Sequence, residues 1–151
     1  MTLVLRAATP LDAGSAGEIL YRFQQDTEWM PKLYTSAEAV AFCGLMIDRG
    51  WVTVAVRGRR VLGFLARDGA EVCALYLAQG ACGQGAGKAL LDAAKAAAPR
   101  LVLHTFAANT RAQRFYQRQG FAETGRGDGA SNEEGLPAIT YEWRSCQEAV
   151  A

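Results

Sequence analysis

The sequence predicts an α/β domain of about seven strands and about four helices. Three observations predict it. At 151 residues the chain is long enough for one substantial core and too short for two ordinary domains. Half of its residues are hydrophobic and the formal net charge is +1, the balance of a globular chain. Apolar runs of strand length alternate with helical runs, and Gly or Pro punctuates the joins. The expected extent of the domain is residues 1–145, with residues 146–151 as a frayed tail.

The elements follow in order. A strand over Leu3–Ala8 leads to a helix around Ser15–Asp26. Trp29-Met30-Pro31 breaks that helix, and Thr35 with Glu38 forms a capping-box pattern for a second one ending near Gly50. Trp51–Arg57, Val61–Arg67 and Glu71–Leu77 read as three strands joined by hairpin turns at Gly58-Arg59 and Asp68-Gly69, the second the stronger signal. A helix over about Gly85–Ala98, a strand over Leu101–Phe106 and a helix over Thr110–Gln119 come next, the last stopped by Gly120. Phe121–Arg126 and Ala138–Arg144 close the chain as strands around a polar loop, completing the order β-α-α-β-β-β-α-β-α-β-β.

The most informative stretch is Leu75 to Leu91. There an apolar strand stops, glycine recurs at 83, 85 and 87, and an Ala- and Leu-rich helix begins. Glycine allows tight turning and close approach of a ligand to the backbone. The first amides of the helix lack intrahelical partners and carry the positive end of its dipole. Such a corner seats a phosphate or diphosphate. It is not a nucleoside-triphosphatase loop, because Cys82 and Ala89 stand where that motif needs Gly and Ser or Thr. Nor is it a dinucleotide fingerprint, since the spacing is G-x-G-x-G and the loop lies past the middle of a short chain.

The run Cys82-Gly83-Gln84-Gly85-Ala86-Gly87 resembles the diphosphate-binding signature of the GNAT superfamily of N-acetyltransferases, Gln/Arg-x-x-Gly-x-Gly/Ala, with Cys82 in the place of the usual Gln or Arg. A second stretch strengthens the resemblance. Asn109, Ala112, Tyr116 and Gly120-Phe121 match the family pattern N-x-x-A-x-x-x-Y-x-x-x-G-F. Helical geometry puts Asn109, Ala112 and Tyr116 on one face, with Phe115 about a third of a turn away, toward the core. Read without the family, Asn109 is a helix cap and Tyr116 a core aromatic.

The resemblance implies a GNAT-like mixed, mostly antiparallel central sheet flanked by the helices. It implies acetyl-CoA as cosubstrate, gripped by the backbone amides from Gly83 to Lys88 (Gly83, Gln84, Gly85, Ala86, Gly87 and Lys88). The Leu75, Tyr76 and Leu77 backbone would pair with the pantetheine arm and the acetyl carbonyl, and one N–H there would steady the developing oxyanion. Asn109 would contact pantetheine, Ala112 would leave it room, and Tyr116 would protonate the departing thiolate. A lysine-like amine acceptor is almost wholly protonated at neutral pH and needs a base. Glu71, spaced from Gly85 like a catalytic glutamate of the lysine-acetylating branch, is the candidate, though it also reads as a solvated turn carboxylate.

For the acceptor, Asp128, Glu133 and Glu134 lie in an acidic, flexible loop between the last two strands, suited to attract a cationic amine or simply to be solvated. Trp29, Met30 and Tyr34 form an apolar acceptor wall or bury themselves between helices. His104 on its strand reads as packed and hydrogen-bonded, with a proton shuttle as the alternative. The composition argues against nucleic acid, and no apolar run is of membrane-spanning length. Cys43, Cys73, Cys82 and Cys146 have no metal spacing, so no metal is expected, and reduced thiols point to the cytoplasm. A homodimer is compatible with all of this. The rival to an N-acetyltransferase is a non-catalytic acyl-CoA-binding domain of the same fold, and after it a phosphate-binding domain unrelated to CoA.

Overall fold

The computed structural model describes residues 2–146. Its elements are β1 (Leu3–Ala7), α1 (Ala13–Asp26), α2 (Ser36–Asp48), β2 (Val52–Arg57), β3 (Arg60–Asp68), β4 (Glu71–Leu77), α3 (Ala86–Ala97), β5 (Arg100–Phe106), α4 (Thr110–Arg118), β6 (Ala122–Gly127) and β7 (Ala138–Arg144). The order is the one the sequence predicts. The seven strands form one sheet in the order β1-β2-β3-β4-β5-β7-β6. The pairs β1–β2, β2–β3, β5–β7 and β6–β7 are antiparallel, and β4–β5 is parallel, joined by the α3 crossover that a parallel pair requires. The expected tail at 146–151 lies, apart from Cys146, outside the described residues.

Two local differences from expectation have physical causes. A short 3-10 turn, Pro10–Asp12, precedes α1, which starts at Ala13 rather than Ser15. Asp12 holds it: the buried carboxylate accepts from Arg6 at 2.7 and 2.9 Å and from the Thr9 amide at 2.8 Å. The Arg6 guanidinium, aided by the Thr9 amide, pulls its pKa down from 3.8 to about 2. The second difference is the β3–β4 turn, which uses Gly69 and Ala70 instead of Asp68 and Gly69, since β3 continues through Asp68. By contrast the α2 capping box forms as read, with Glu38 N–H on Thr35 Oγ1 at 3.1 Å and Thr35 N–H on Glu38 Oε1 at 3.0 Å.

The chain divides into two compact units: residues up to Asp68 with Cys73–Ala93, and Gly69–Val72 with the chain from Ala94 on. In the first, α1 and α2 supply Ala16, Ile19, Cys43, Met46 and Ile47 to a core completed by Val52, Val54, Phe64, Ala66 and Ala74 of the strands. The middle of β3, Leu62 to Ala66, is buried on both faces, the mark of an interior strand. Burial also pushes the Cys43 thiol up to about 11, so it acts as a small hydrophobe. In the second unit β5 alternates, with Leu101, Leu103 and Thr105 inward, and Leu103 and Thr105 face Tyr141 and Ile139 of β7.

Candidate functional site

The glycine corner belongs to the first unit. Gly80, Gly83 and Gly85 have φ of 80°, 81° and 86°, conformations that an L side chain strains to adopt. A Cβ at Gly83 or Gly85 would meet nothing within 4 Å, so the backbone angle, not crowding, requires glycine there. Gly87 differs, being a helical residue of α3. The Gly85 carbonyl accepts from Ala89 N–H at 3.0 Å, so residues 86–88 form the first helical turn, whose amides helix geometry leaves without a carbonyl. Ala81 and Ala86, both fully buried, anchor the corner on either side of exposed residues 82–85.

One of the expected backbone donors is otherwise engaged. The Gln84 amide turns inward to Ala81 O at 3.3 Å. Its side chain braces the turn, donating Nε2 to Gly80 O at 2.8 Å and accepting Arg57 Nη1 on Oε1 at 2.9 Å. Lys88 Nζ pairs with Asp92 at 2.7 Å along the exposed face of α3. The brace continues at Arg60, whose Nη2 donates to Gln79 O at 2.9 Å. Arg57 and Arg60 flank the β2–β3 turn, some 20 to 30 residues before the loop they hold. No local motif advertises them; the only sequence hint is the concentration of arginine at positions 57, 59 and 60.

β4 carries Leu75, Tyr76 and Leu77, all half-buried, into this corner. The Tyr76 ring lies 5.1 Å from Phe23 and 5.9 Å from Phe64, and Phe23 meets Trp29 edge-on at 6.3 Å. Trp29 is thus packed, Met30 is buried, and Tyr34 stays 38% exposed. The loop bearing them is held by a residue the sequence reading missed. Buried Gln24 accepts the Leu33 and Tyr34 amides at 2.9 and 3.0 Å and donates to Tyr34 O at 2.8 Å. Lys32 Nζ caps the end of α1 through the carbonyls of Gln24 and Thr27.

In the second unit Asn109 is the N-cap of α4, its Oδ1 accepting the Ala112 amide at 3.1 Å, so the capping role applies. Tyr116, 8% exposed, sits among the rings of Phe115, Phe121 and Tyr141 at 5.3, 5.6 and 6.3 Å. This corrects one expectation. The face shared by Ala112 and Tyr116 is the inward one, and Phe115 flanks it half-buried instead of pointing to the core. Lys95 closes the C-terminus of α4 on Gln119 O and lies 5.2 Å over the Trp143 ring and 5.7 Å over Phe121.

Glu71 is exposed and opens β4, registered against Val102 of β5, while the Leu75–Leu77 segment closes the strand. His104 is hydrogen-bonded as expected, Nδ1 to Thr140 Oγ1 at 3.0 Å, but it is exposed: the inward positions of β5 are its odd-numbered neighbours. The loop after β6 carries internal hydrogen bonds. Asn132 clamps Leu136 through both its amide N–H and carbonyl, at 2.9 and 3.2 Å, and Asp128 Oδ1 accepts the Ala130 amide at 2.9 Å. Glu133 is exposed and Glu134 half-buried within it. Cys82, Cys73 and Cys146 are exposed, and none of them is in a disulfide. Among the described residues no group of three or more His, Cys, Asp or Glu could hold a metal, and no helix is long and apolar enough to cross a membrane.

Comparison with known proteins fits this geometry. The chain is 37% identical over 78 residues to the peptidyl-lysine N-acetyltransferase YjaB of Salmonella typhimurium. That match spans 52% of this chain and about half, 53%, of the relative's length. The solution structure of apo YjaB from Escherichia coli superposes with a TM-score of 0.79 at 23% identity, covering 97% of this chain and all of that one. The structure of YncA from Salmonella typhimurium, solved with acetyl-CoA, gives 0.72 at 18% identity over 95% of this chain and 94% of its own. The model of the acetyltransferase (GNAT) family matches residues 7–121. The chain is therefore a member of the GNAT acetyltransferase family.

Proposed function

We propose that residues 1–145 act as one N-acetyltransferase domain that moves the acetyl group of acetyl-CoA to a primary amine by direct attack. The observation that carries this is the braced glycine corner, with positive φ at Gly83 and Gly85 and the open first turn of α3 behind it. Backbone N–H groups from Gly83, Gly85, Ala86, Gly87 and Lys88 would hold the diphosphate. Backbone donors suffice without the usual Gln or Arg at Cys82, because the Arg57–Gln84 contact already shapes the turn. The naming of a matching relative as a peptidyl-lysine N-acetyltransferase favours a lysine-type amine.

In this reading the amine, once deprotonated, attacks the thioester carbonyl. An N–H of the Leu75–Leu77 backbone stabilises the oxyanion, and the tetrahedral intermediate collapses with expulsion of the CoA thiolate. Tyr116, within the cage of rings at 5.3–6.3 Å, gives the thiolate its proton. The thioester lies a pantetheine arm away from the diphosphate, so the base belongs well away from the glycine corner. Glu71, at the opposite end of β4, meets that condition and would work through water. Asn109 would offer its amide N–H to pantetheine, and Ala112 room beside it. Tyr34, Asp128, Glu133 and Glu134 remain the acceptor candidates, with Trp29 behind them as a packed wall. The four cysteines lack the paired spacing of a disulfide or metal framework, which favours the cytoplasm as the compartment.

The second reading is a domain that binds acyl-CoA without turnover, and the enclosure of Tyr116 is the observation in its favour. CoA release from acetyl-CoA, followed with a lysine peptide, free amino acids and polyamines, separates the two. Turnover on any of these supports the transferase, whereas binding of acetyl-CoA without release on every acceptor establishes the second reading.

A further inference from the structure

The strongest feature outside the coenzyme corner is a basic cavity in the first unit, between α1 and the β2–β3 hairpin. It has a volume of about 810 Å³ and is lined by Arg22, Arg57, Arg59 and Arg60, with Ser15 and the lone carboxylate Glu18. Glu18 neutralises little of this charge. Its contact is a 3.4 Å pair with Arg22 between exposed side chains, a weak interaction in water. The lining therefore carries an excess of positive charge, with Arg57, Arg59 and Arg60 beyond the one arginine paired with Glu18, and such a cleft attracts anions.

Arg57 adds an independent sign. Its Nη1 donates to Gln84, but its Nε is buried without a hydrogen-bond partner. A buried charged donor left unsatisfied is costly, and the Nε–Nη edge of a guanidinium is the side that takes two oxygens of one phosphate. Arginine is also the residue type suited to planar, two-pronged recognition of phosphate. A cavity of this size admits a small organic phosphate.

We infer that this cavity is a second anion site, which binds the phosphate group of a small multiply charged ligand apart from the diphosphate seat at Gly83–Lys88. Its occupancy is linked to that seat. Arg57 holds Gln84 at 2.9 Å and Arg60 holds Gln79 O at 2.9 Å, so a phosphate drawing on these two guanidiniums alters the brace of the glycine corner. The phosphate has two possible sources: a separate phosphorylated molecule, or the 3′-phosphate of the coenzyme itself.

The test uses the full chain, tripolyphosphate as probe, and the double variant Arg22→Ala/Arg59→Ala. Both side chains are exposed and neither holds the glycine corner, so circular dichroism and melting temperature should match wild type. Calorimetric titration of tripolyphosphate is run alone, with saturating CoA and with saturating dephospho-CoA. One probe site that persists under both coenzymes, at least tenfold weaker in the double variant, supports the proposal with a separate ligand. Displacement of the probe by CoA but not by dephospho-CoA, with the variant losing its preference for CoA, supports it with the 3′-phosphate as source. Probe and CoA affinities unchanged in the variant overturn it. Should CoA fail to bind at all, the coenzyme reading falls, while arginine-dependent probe binding still upholds the cavity on its own.

Discussion

Gly63 in β3 lies beside the part of the neighbouring strand β4 assigned to the coenzyme. A Cβ there would sit 2.5 Å from Leu77 Cδ2, 2.8 Å from the Tyr76 carbonyl oxygen and 3.4 Å from Leu77 Cα. The Leu77 methyl is the far end of a flexible side chain and can rotate away. The Tyr76 carbonyl is backbone and cannot. Comfortable C···O contacts begin near 3.3 Å, so Gly63→Ala has to move the β4 backbone by ~0.5 Å. Overpacking of this kind costs about 1–3 kcal/mol. With a urea m-value of about 1–3 kcal/mol per molar, the unfolding midpoint should fall by roughly 1 M. The displaced Tyr76–Leu77 backbone should also lower acetyl-CoA affinity in buffer, where the variant remains folded. Gly14→Ala is the control: its Cβ meets nothing within 4 Å, and alanine early in α1 should leave the midpoint unchanged or raised. A Gly63→Ala protein with the wild-type midpoint and affinity would refute the close-approach argument.

Other perturbations reach different parts of the account. Tyr116→Phe should cut turnover near the low end of the ~10²–10⁴ range for general acid catalysis while leaving acetyl-CoA affinity almost intact; unchanged turnover removes Tyr116 from the mechanism. Asp12 is held well below its ordinary pKa, at about 2, so its contribution to stability is full above pH 3.8 and is lost as pH falls through 2. Asp12→Asn should therefore cost about 2 kcal/mol in urea melts at pH 7, with the gap closing toward pH 2; a gap independent of pH contradicts the assignment. Asn132→Ala removes both contacts to Leu136 and should accelerate cleavage after Glu133 or Glu134 by a glutamate-specific protease, whereas equal cleavage rates would show that the loop does not depend on that clamp.

What the sequence makes legible here is what short-range chemistry specifies. The Thr35–Glu38 capping box, the Gly58-Arg59 turn and the glycine corner are each decided within a few residues, and each forms where the letters place it. The β3–β4 turn slips by one residue because the extent of β3 is set across the sheet, not by its turn residues. Tyr116 and Phe115 show the limit of helical phase: spacing groups Asn109, Ala112 and Tyr116, but which face turns inward depends on Phe121 and Tyr141 arriving from elsewhere. His104 likewise faces solvent because Leu101 and Leu103 claim the inward positions of β5. Least legible are Arg57 and Gln24. Arg57 meets Gln84 27 residues away, and Gln24 clamps a backbone 9 and 10 residues on, pairings that no local motif encodes.

The central claim is that the amides behind Gly83 and Gly85 seat the diphosphate of acetyl-CoA. Backbone amide shifts of the full chain, recorded by NMR as CoA is titrated in, test it most directly. The account predicts that the largest shifts fall on Gly83, Gly85, Ala86, Gly87 and Lys88 and saturate together with those of Leu75–Leu77. Saturable CoA binding that leaves the Gly83–Lys88 amides unmoved, or no binding at all, would contradict it.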